Sequence, residues 1–495
     1  MIVYGAGPLA GANTTNVHLY GGVADKVYGG AFAEGICSET NIFVPDTSTV
    51  SVNALYGGSR GKQPNLPCDV IQSNINFLSD KASVTDAIFG GNDFMRATMH
   101  SLINITVPVK NLKADTLINV YAAGDGAGSI AGYTRAELIG RAEVRDIYGG
   151  GRNGLVLDGF DGAMNNDGLL AEYILEDSEL SNLKTYYSET KNNLPTWDKL
   201  ISKTNTNVYL IGGQVKNIYG GGFNGDITGN TFVSIGKKQA TSHGNGRPTV
   251  LRSAYGGGQL ACVKGNANIS LYDGYIGYKY IAPSTAEGEG TYEPNIKISS
   301  IDELNLLDDN GNLYGGGYDE GGFVHNSYVN IYGGVVRNSV YGGGEIAAIG
   351  EGEMESPGSY KLKTITTPGS SNVYMHGGLV ERNVFGGGRG FSYNESGGTI
   401  IGKKYYTDGF TFGKTSVEIH RGTVGTDASV ALGHGNVFGG GNVGFVYSDA
   451  TRNDADGYYY TSVGTSKPYP VAPRKSYSLS GSSSISGPIS PMSSS

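Results

Sequence analysis

Ile218-Tyr219-Gly220-Gly221-Gly222 is the stretch that decides how this chain is read. The same word, an aromatic followed by glycines, returns at Tyr28, Tyr56, Phe89, Tyr148, Tyr255, Tyr314, Tyr341, Phe385 and Phe438, and in worn form at Tyr4 and Tyr121. The residue before the aromatic is Val, Ile or Leu in most copies, as at Val27, Ile88, Ile147, Val340, Val384 and Val437. β-Branched residues suit extended, half-buried backbone, and glycine reaches positive φ without steric cost. The word therefore reads as strand, aromatic, corner, with the corner glycines expected at positive φ.

Upstream of many copies stands a second word, a strand closed by its own glycine pair. Asn16-Val17-His18-Leu19-Tyr20-Gly21-Gly22 and Asn372-Val373-Tyr374-Met375-His376-Gly377-Gly378 are examples. Val17 and Leu19 alternate with His18 and Tyr20, the period-two pattern of a strand with one buried face. Tyr4 and Tyr28 are 24 residues apart and Tyr28 and Tyr56 are 28 apart. A unit of that size holds about three short strands and cannot bury its own apolar face, so units must stack. A propeller blade needs about 40–45 residues, more than the shortest units supply. The expected fold is all-β, a parallel β-solenoid or β-helix of about twelve coils, a rod about 55–60 Å long.

Residues 1–151 carry regular coils. Residues 152–205 interrupt them, and Leu170, Tyr173, Ile174, Leu180, Leu183 and Tyr187 keep a rough helical spacing that Pro195 ends. One helical insertion is expected there, pinned to the flank by Trp197. Coils resume over residues 206–441, with side-loop insertions at about 277–311, 345–370 and 389–415. Residues 442–475 form a Tyr-rich cap or loop, and residues 476–495 a Ser-rich tail expected to be disordered. Three of the four long insertions leave directly after the glycine corner. Stacked repeats place equivalent corners on one side, and insertions gathered there commonly make the binding face.

Composition narrows the function classes. Glycine supplies 81 of 495 residues, tyrosine 34 and tryptophan one, and the net charge is −9. No Lys/Arg cluster exceeds a dipeptide, which argues against nucleic acid as a partner. No apolar run reaches membrane-spanning length. Cys37, Cys68 and Cys262 have no metal-type spacing and read as small buried apolar residues. The chain begins inside a coil, at Val3-Tyr4-Gly5, without a leader or capping repeat. That suggests a piece of a longer protein or a processed form.

The copy Gly435-Asn436-Val437-Phe438-Gly439-Gly440-Gly441-Asn442 resembles the repeat of very large, glycine-rich surface or secreted proteins of gut and oral anaerobic bacteria. In those chains a Val-Tyr/Phe-Gly-Gly-Gly word alternates with a Val-x-Ile-x-Gly-Gly word, as here. The resemblance covers roughly residues 1–450 outside the insertions. It implies an extracellular or cell-surface setting and a structural or adhesive role, and carries over no catalytic residue.

Individual sites read as follows. The twelve corner aromatics are Tyr nine times and Phe three times, so the hydroxyl is not expected to be required. A stacked internal ladder is favoured over an exposed sugar-binding strip. Asn16, Asn207, Asn268 and Asn372 precede an apolar strand residue and are expected to form an internal amide ladder. His376 and His420 share a slot with Tyr20, Ile211 and Tyr332, and a slot that accepts Ile is not a metal site. No nonapeptide calcium roll or EF-hand spacing is met, although Asp449, Asn453, Asp454 and Asp456 could form an irregular calcium loop. No metal or cofactor is expected. Asp158, Asp161 and Asp167 sit beside glycine or asparagine as turn residues do, which weakens any two-carboxylate catalytic reading. The loops offer rings instead: Phe391, Tyr393, Tyr405, Tyr406, Phe410 and Phe412, then Phe445, Tyr447, Tyr458, Tyr459 and Tyr460. Tyr393, Tyr405, Tyr406, Tyr458, Tyr459 and Tyr460 are the expected ligand-binding residues. The leading expectation is an adhesin-like binding protein contacting a surface glycan or a host or cell-surface protein. A polysaccharide lyase or glycoside hydrolase of β-helix type is the alternative, on fold analogy alone. A purely structural spacer is the third.

Overall fold

The computed structural model describes residues 1–62, 66, 68–158, 205–236, 248–282, 290–296, 310–319, 321–354, 362–390, 394–396, 399–401, 409–426, 434–442, 444–447, 459–462 and 468–471. The chain is all-β over these residues, with no helix among them. Two large sheets, of 18 and 13 strands, hold the repeats. Within each, the strand of one repeat pairs in parallel with its counterpart in the next. The expected helix at residues 170–187, Trp197, and the tail 476–495 lie outside the described residues.

The first sheet is built on the aromatic word. Tyr4 pairs with Tyr28, Tyr28 with Tyr56, and Tyr56 with Phe89. The register continues through Tyr121, Tyr148, Tyr219, Tyr255, Tyr314, Tyr341, Phe385 and Phe438. All twelve aromatics therefore share one row despite spacings of 24 to 71 residues. The insertions leave the row without shifting it. The insertion after Ile276, for example, splits one strand into Tyr275–Ile276 and Leu313–Tyr314, and both parts pair with Thr249–Tyr255.

The second sheet carries the Asn-Val words, as in Ala12–His18, Cys37–Val44 and Val70–Phe77. Its inward residues, among them Val17, Ile42, Ile75, Val208 and Val373, pack against Val27, Leu55, Ile88 and Ile218 of the first sheet in one continuous core. A hydroxyl row links the sheets at one edge of that core. Thr15, Thr40, Thr206 and Ser327 each donate to the carbonyl of a corner glycine at 2.6 Å, namely Gly29, Gly57, Gly220 and Gly342. Ser73, Thr134, Thr231 and Ser371 do the same in their repeats, and Ser101 donates to the carbonyl of Ala122, which stands where the other repeats have the corner glycine. The hydroxyl gives each of these buried carbonyls a partner.

The corner glycines correct an expectation. None of Gly220, Gly221 and Gly222 has positive φ. They are needed because the corners nearly touch. A Cβ on Gly220 would lie 2.2 Å from Gly256 O, and one on Gly221 would lie 2.7 Å from Gly258 N. Positive φ belongs to the other word, at Gly22 (+92°), Gly213 (+82°), Gly334 (+76°) and Gly378 (+80°).

The amide ladder is partial, exposed at Asn16 and buried at Asn207. Asn41 Nδ2 donates to Asn16 Oδ1 at 3.2 Å, and Asn74 Nδ2 to Asn41 Oδ1 at 2.9 Å. Leu102 then holds the position. Further on, Asn207, Asn268 and Asn372 donate to the backbone carbonyls of Thr134, Thr231 and Ser327. Cys37 and Cys68 are buried, and all three thiols are free. Burial pushes the Cys68 thiol up to about 11.

Candidate functional site

Along the chain, Val27 points into the core between the sheets and Tyr28 to the opposite face. The twelve rings stack there, with centroids 4.8 to 5.2 Å apart in successive pairs from Tyr4 to Phe438. From Tyr28 to Phe385 every ring is buried. The rings thus form the internal ladder and not an open strip.

The cover is the segment that follows each glycine corner, and its key residue stands four after the aromatic. From Asp93 onward, where that residue is polar it reaches a ring two repeats back. Tyr28 Oη donates to Asp93 Oδ2 at 2.5 Å, Tyr148 Oη to Gln259 Oε1 at 2.5 Å, and Tyr255 Oη to Glu345 Oε2 at 2.6 Å. Asn442 Nδ2 donates to Tyr341 Oη at 3.2 Å. Phe89 has no hydroxyl, and there the residue is Arg152, its guanidinium 4.9 Å from the ring centroid. Where the residue is aromatic it meets the ring one repeat back edge-on: Phe32 on Tyr4 at 5.3 Å, Phe223 on Tyr148 at 6.0 Å, and Tyr318 on Tyr255 at 5.6 Å.

From Asp93 onward the charges of this cover are paired. Asp93 also holds Lys26 at 2.9 Å. Arg152 bridges Asp125 at 2.6 Å and Asp86 at 3.0 Å. Arg389 holds Glu345 at 3.0 Å with both side chains buried. Burial, then the carboxylates of Asp93 and Glu345, push the Tyr28 and Tyr255 phenols well above their ordinary range. Ionisation is suppressed in these rings, so they serve as neutral donors to carboxylates. Among the described residues no group of three or more His, Cys, Asp or Glu is placed to hold a metal ion.

Open rings lie elsewhere. Tyr272, Tyr332, His376 and His420 stack in a second row at 4.9, 4.9 and 5.0 Å, just before the positive-φ corners. Tyr332 is 43% exposed, and among the described residues no segment folds back over this row. His376 and His420 are thus exposed ladder residues, as their slot implied. Beside Tyr272 in sequence, the insertion after Ile276 forms an antiparallel hairpin of Tyr278–Ile281 and Thr291–Pro294 outside both large sheets. It is anchored to the first sheet by Tyr280 N to Gln214 Oε1 at 3.1 Å and Asn295 Nδ2 to Leu251 O at 3.0 Å. Tyr275 and Tyr292 stack at 4.1 Å, Tyr280 tilts against Tyr292 at 5.4 Å, and Tyr278 meets Tyr275 edge-on at 5.3 Å. All four rings are half-buried. Tyr278 Oη donates to Glu381, which also holds Arg337.

Of the expected ligand-binding residues, Tyr393, Tyr405, Tyr406 and Tyr458 lie outside the described residues. Tyr459 and Tyr460 belong to the short antiparallel strand Tyr459–Ser462, paired with Pro468–Val471. The other loop rings divide. Phe410, Phe412 and Tyr447 are buried together with Ala348, packed by Phe445, Leu362 and Ile365, and are core. Asp158 accepts from Asn205 Nδ2 at 3.2 Å, in a turn as its neighbours implied. The tyrosine hairpin was missed because the insertion reads as polar overall. Its signal was Tyr278-x-Tyr280, two rings at strand period. No known protein family, curated protein or solved structure matches the chain.

Proposed function

We propose that this chain is an extracellular β-solenoid of about twelve coils whose insertions bind a surface glycan or a cell-surface protein. The observation that carries the reading is the tyrosine hairpin. Three half-buried rings of the hairpin gather with Tyr275 of the first sheet, and the hairpin itself pairs with neither large sheet. Tyrosine supplies rigid, amphipathic contact area at low entropic cost, which suits recognition better than folding. The twelve in-register aromatics support the coil count, and the resemblance to glycine-rich surface repeats supports the setting. Tyr393, Tyr405, Tyr406, Tyr458, Tyr459 and Tyr460 extend the same binding role to the later insertions.

A glycan array with the whole chain, followed by titration of the best hit, tests this. Tyr280→Ala/Tyr292→Ala is expected to weaken binding at least about tenfold, since each stacking contact carries about 1 kcal/mol or more. The melting temperature should stay within a few degrees, because the hairpin lies outside the core. An array with no glycan hit, together with no binding to intact cell surfaces, would leave the structural-spacer reading in its place.

A further inference from the structure

At the N-terminal end of the ring ladder the cover changes character. Phe32 and Arg60 are the residues four after Tyr28 and Tyr56, and Phe94 follows Asp93 in the next cover segment. The Arg60 guanidinium lies between two rings, 4.9 Å from the Phe32 centroid and 5.4 Å from that of Phe94. Lys62 Nζ stands over Phe32 at 5.9 Å and Lys26 Nζ over Phe94 at 5.6 Å. The order across the surface is Lys62, Phe32, Arg60, Phe94, Lys26, cations alternating with rings. Phe94 is 46% exposed, a large apolar side chain left at the surface among charges.

The charge balance sets this patch apart. Lys26 is answered by Asp93. Arg60 and Lys62 have no carboxylate partner among the described residues, in a chain of net charge −9. On the same ladder face Arg152 and Arg389 each hold an acid. A guanidinium held against two rings and without a carboxylate partner keeps N–H donors for a planar anion such as a carboxylate. The flanking rings offer apolar contact to whatever carries it.

We propose that Lys62, Phe32, Arg60 and Phe94 form a binding site for an anionic glycan, a sugar polymer bearing carboxylate or sulfate groups. An acidic sugar matches both halves of the patch, with its charge on Arg60 and Lys62 and its C–H face against Phe94. An acidic peptide matches only one. The backbone amides here are already spent, Arg60 N on Ala31 O at 3.0 Å, Asp93 N on Ser59 O at 3.1 Å and Phe94 N on Arg60 O at 2.9 Å. A peptide added to this surface would find none of these donors for its carbonyls. The site is separate from the tyrosine hairpin and differs from it in kind: here charge sets affinity, so salt weakens binding.

Calorimetric titration of the whole chain with polygalacturonate, its fully methyl-esterified form, dextran sulfate and poly-glutamate tests the proposal. Polygalacturonate is expected to bind, and the neutral ester at least about tenfold more weakly. Arg60→Ala/Lys62→Ala should weaken polygalacturonate binding at least about tenfold at an unchanged melting temperature, while Lys113→Ala, which removes a distant exposed charge, should not. Binding of dextran sulfate alone would keep the site and name sulfate as its anion. Binding of neither polymer, equal loss in the Lys113→Ala control, or poly-glutamate binding as tightly as the glycans would overturn it. Loss confined to Tyr280→Ala/Tyr292→Ala would also overturn it, by assigning the polymer to the hairpin.

Discussion

Two rows of stacked rings run along this molecule with almost the same spacing, 4.8 to 5.2 Å in the row from Tyr4 to Phe438 and 4.9 to 5.0 Å in the row from Tyr272 to His420. The spacing is set by parallel strand pairing, so stacking alone does not separate them. What separates them is the chain that follows. The first row runs into a corner whose arm folds back over the rings and supplies Asp93, Gln259 or Glu345 to their hydroxyls. The second runs into a positive-φ corner and straight on into the next strand, and among the described residues no arm returns. The same stacking is a core in one place and a surface in the other. A strip of rings in a β-repeat therefore says nothing about binding until its cover is known.

The largest expected effect comes from closing the space on which the covered row depends. Gly221→Val places a branched side chain where even a Cβ would be 2.7 Å from Gly258 N and 2.8 Å from its Cα, and backbone cannot move aside. Loss of stable folding is expected, beyond about 4–5 kcal/mol. Gly22→Ala should cost about 1–2 kcal/mol, since nothing lies within 4 Å of the new methyl and only its φ of +92° is unfavourable. Denaturant titration ranks the two, and equal costs would mean that conformation and not crowding selects the corner glycines.

Next comes the ring itself. Tyr219→Ala removes a buried ring stacked on both sides, at 4.8 Å from Tyr148 and from Tyr255, and should cost about 3–5 kcal/mol. Tyr332→Ala removes a ring also stacked on both sides, at 4.9 Å from Tyr272 and His376, but open to water, and should cost about 1 kcal/mol. Thermal melts of both variants give the difference, which measures the cover and not the stacking. Equal losses would erase the distinction between the rows.

Much of this was legible in the sequence, because a repeat exposes its own constraints. The words at Tyr219 and Asn207 fixed both strands, the alternation of Val17 and Leu19 fixed the buried face, and the twelve aromatics fixed the row. The corner glycines were recognised for the wrong reason. Their closeness to the next corner is a contact between residues such as Gly220 and Gly256, distant in sequence, and single-residue conformational preference carries no trace of it. The hydroxyl row was missed although Thr15, Thr206 and Ser371 stand two residues before Val17, Val208 and Val373. The arm rule was missed too, since the residue four after the aromatic varies among Asp, Arg, Gln, Glu, Asn and aromatics. What it conserves is the ability to meet a ring, which becomes visible only when repeats are stacked.

The smallest effect is the most specific to the covered row, and it appears at high pH. Burial is the first cause that raises the phenols of Tyr28, Tyr56, Tyr148, Tyr219, Tyr255 and Tyr314, joined by nearby carboxylates such as Asp93 and Glu345. In the unfolded chain tyrosine loses its proton near pH 10. The folded values lie higher, so the stabilisation from holding these protons is complete below about pH 10 and falls as pH rises beyond it. Each sealed tyrosine contributes about 1.4 kcal/mol of lost stability per pH unit in that window. Unfolding at alkaline pH should accordingly be abrupt, with phenolate absorbance from the sealed rings appearing only as the fold is lost. Tyr255→Phe removes one such group and should make the decline shallower by about 1.4 kcal/mol per pH unit. At neutral pH it costs about 1–3 kcal/mol, because Glu345 loses the hydroxyl it accepts from at 2.6 Å. Denaturant midpoints measured from neutral to alkaline pH for both proteins give both numbers. Phenolate formation near pH 10 in the intact fold would show that solvent reaches the ladder and that the arms do not seal it.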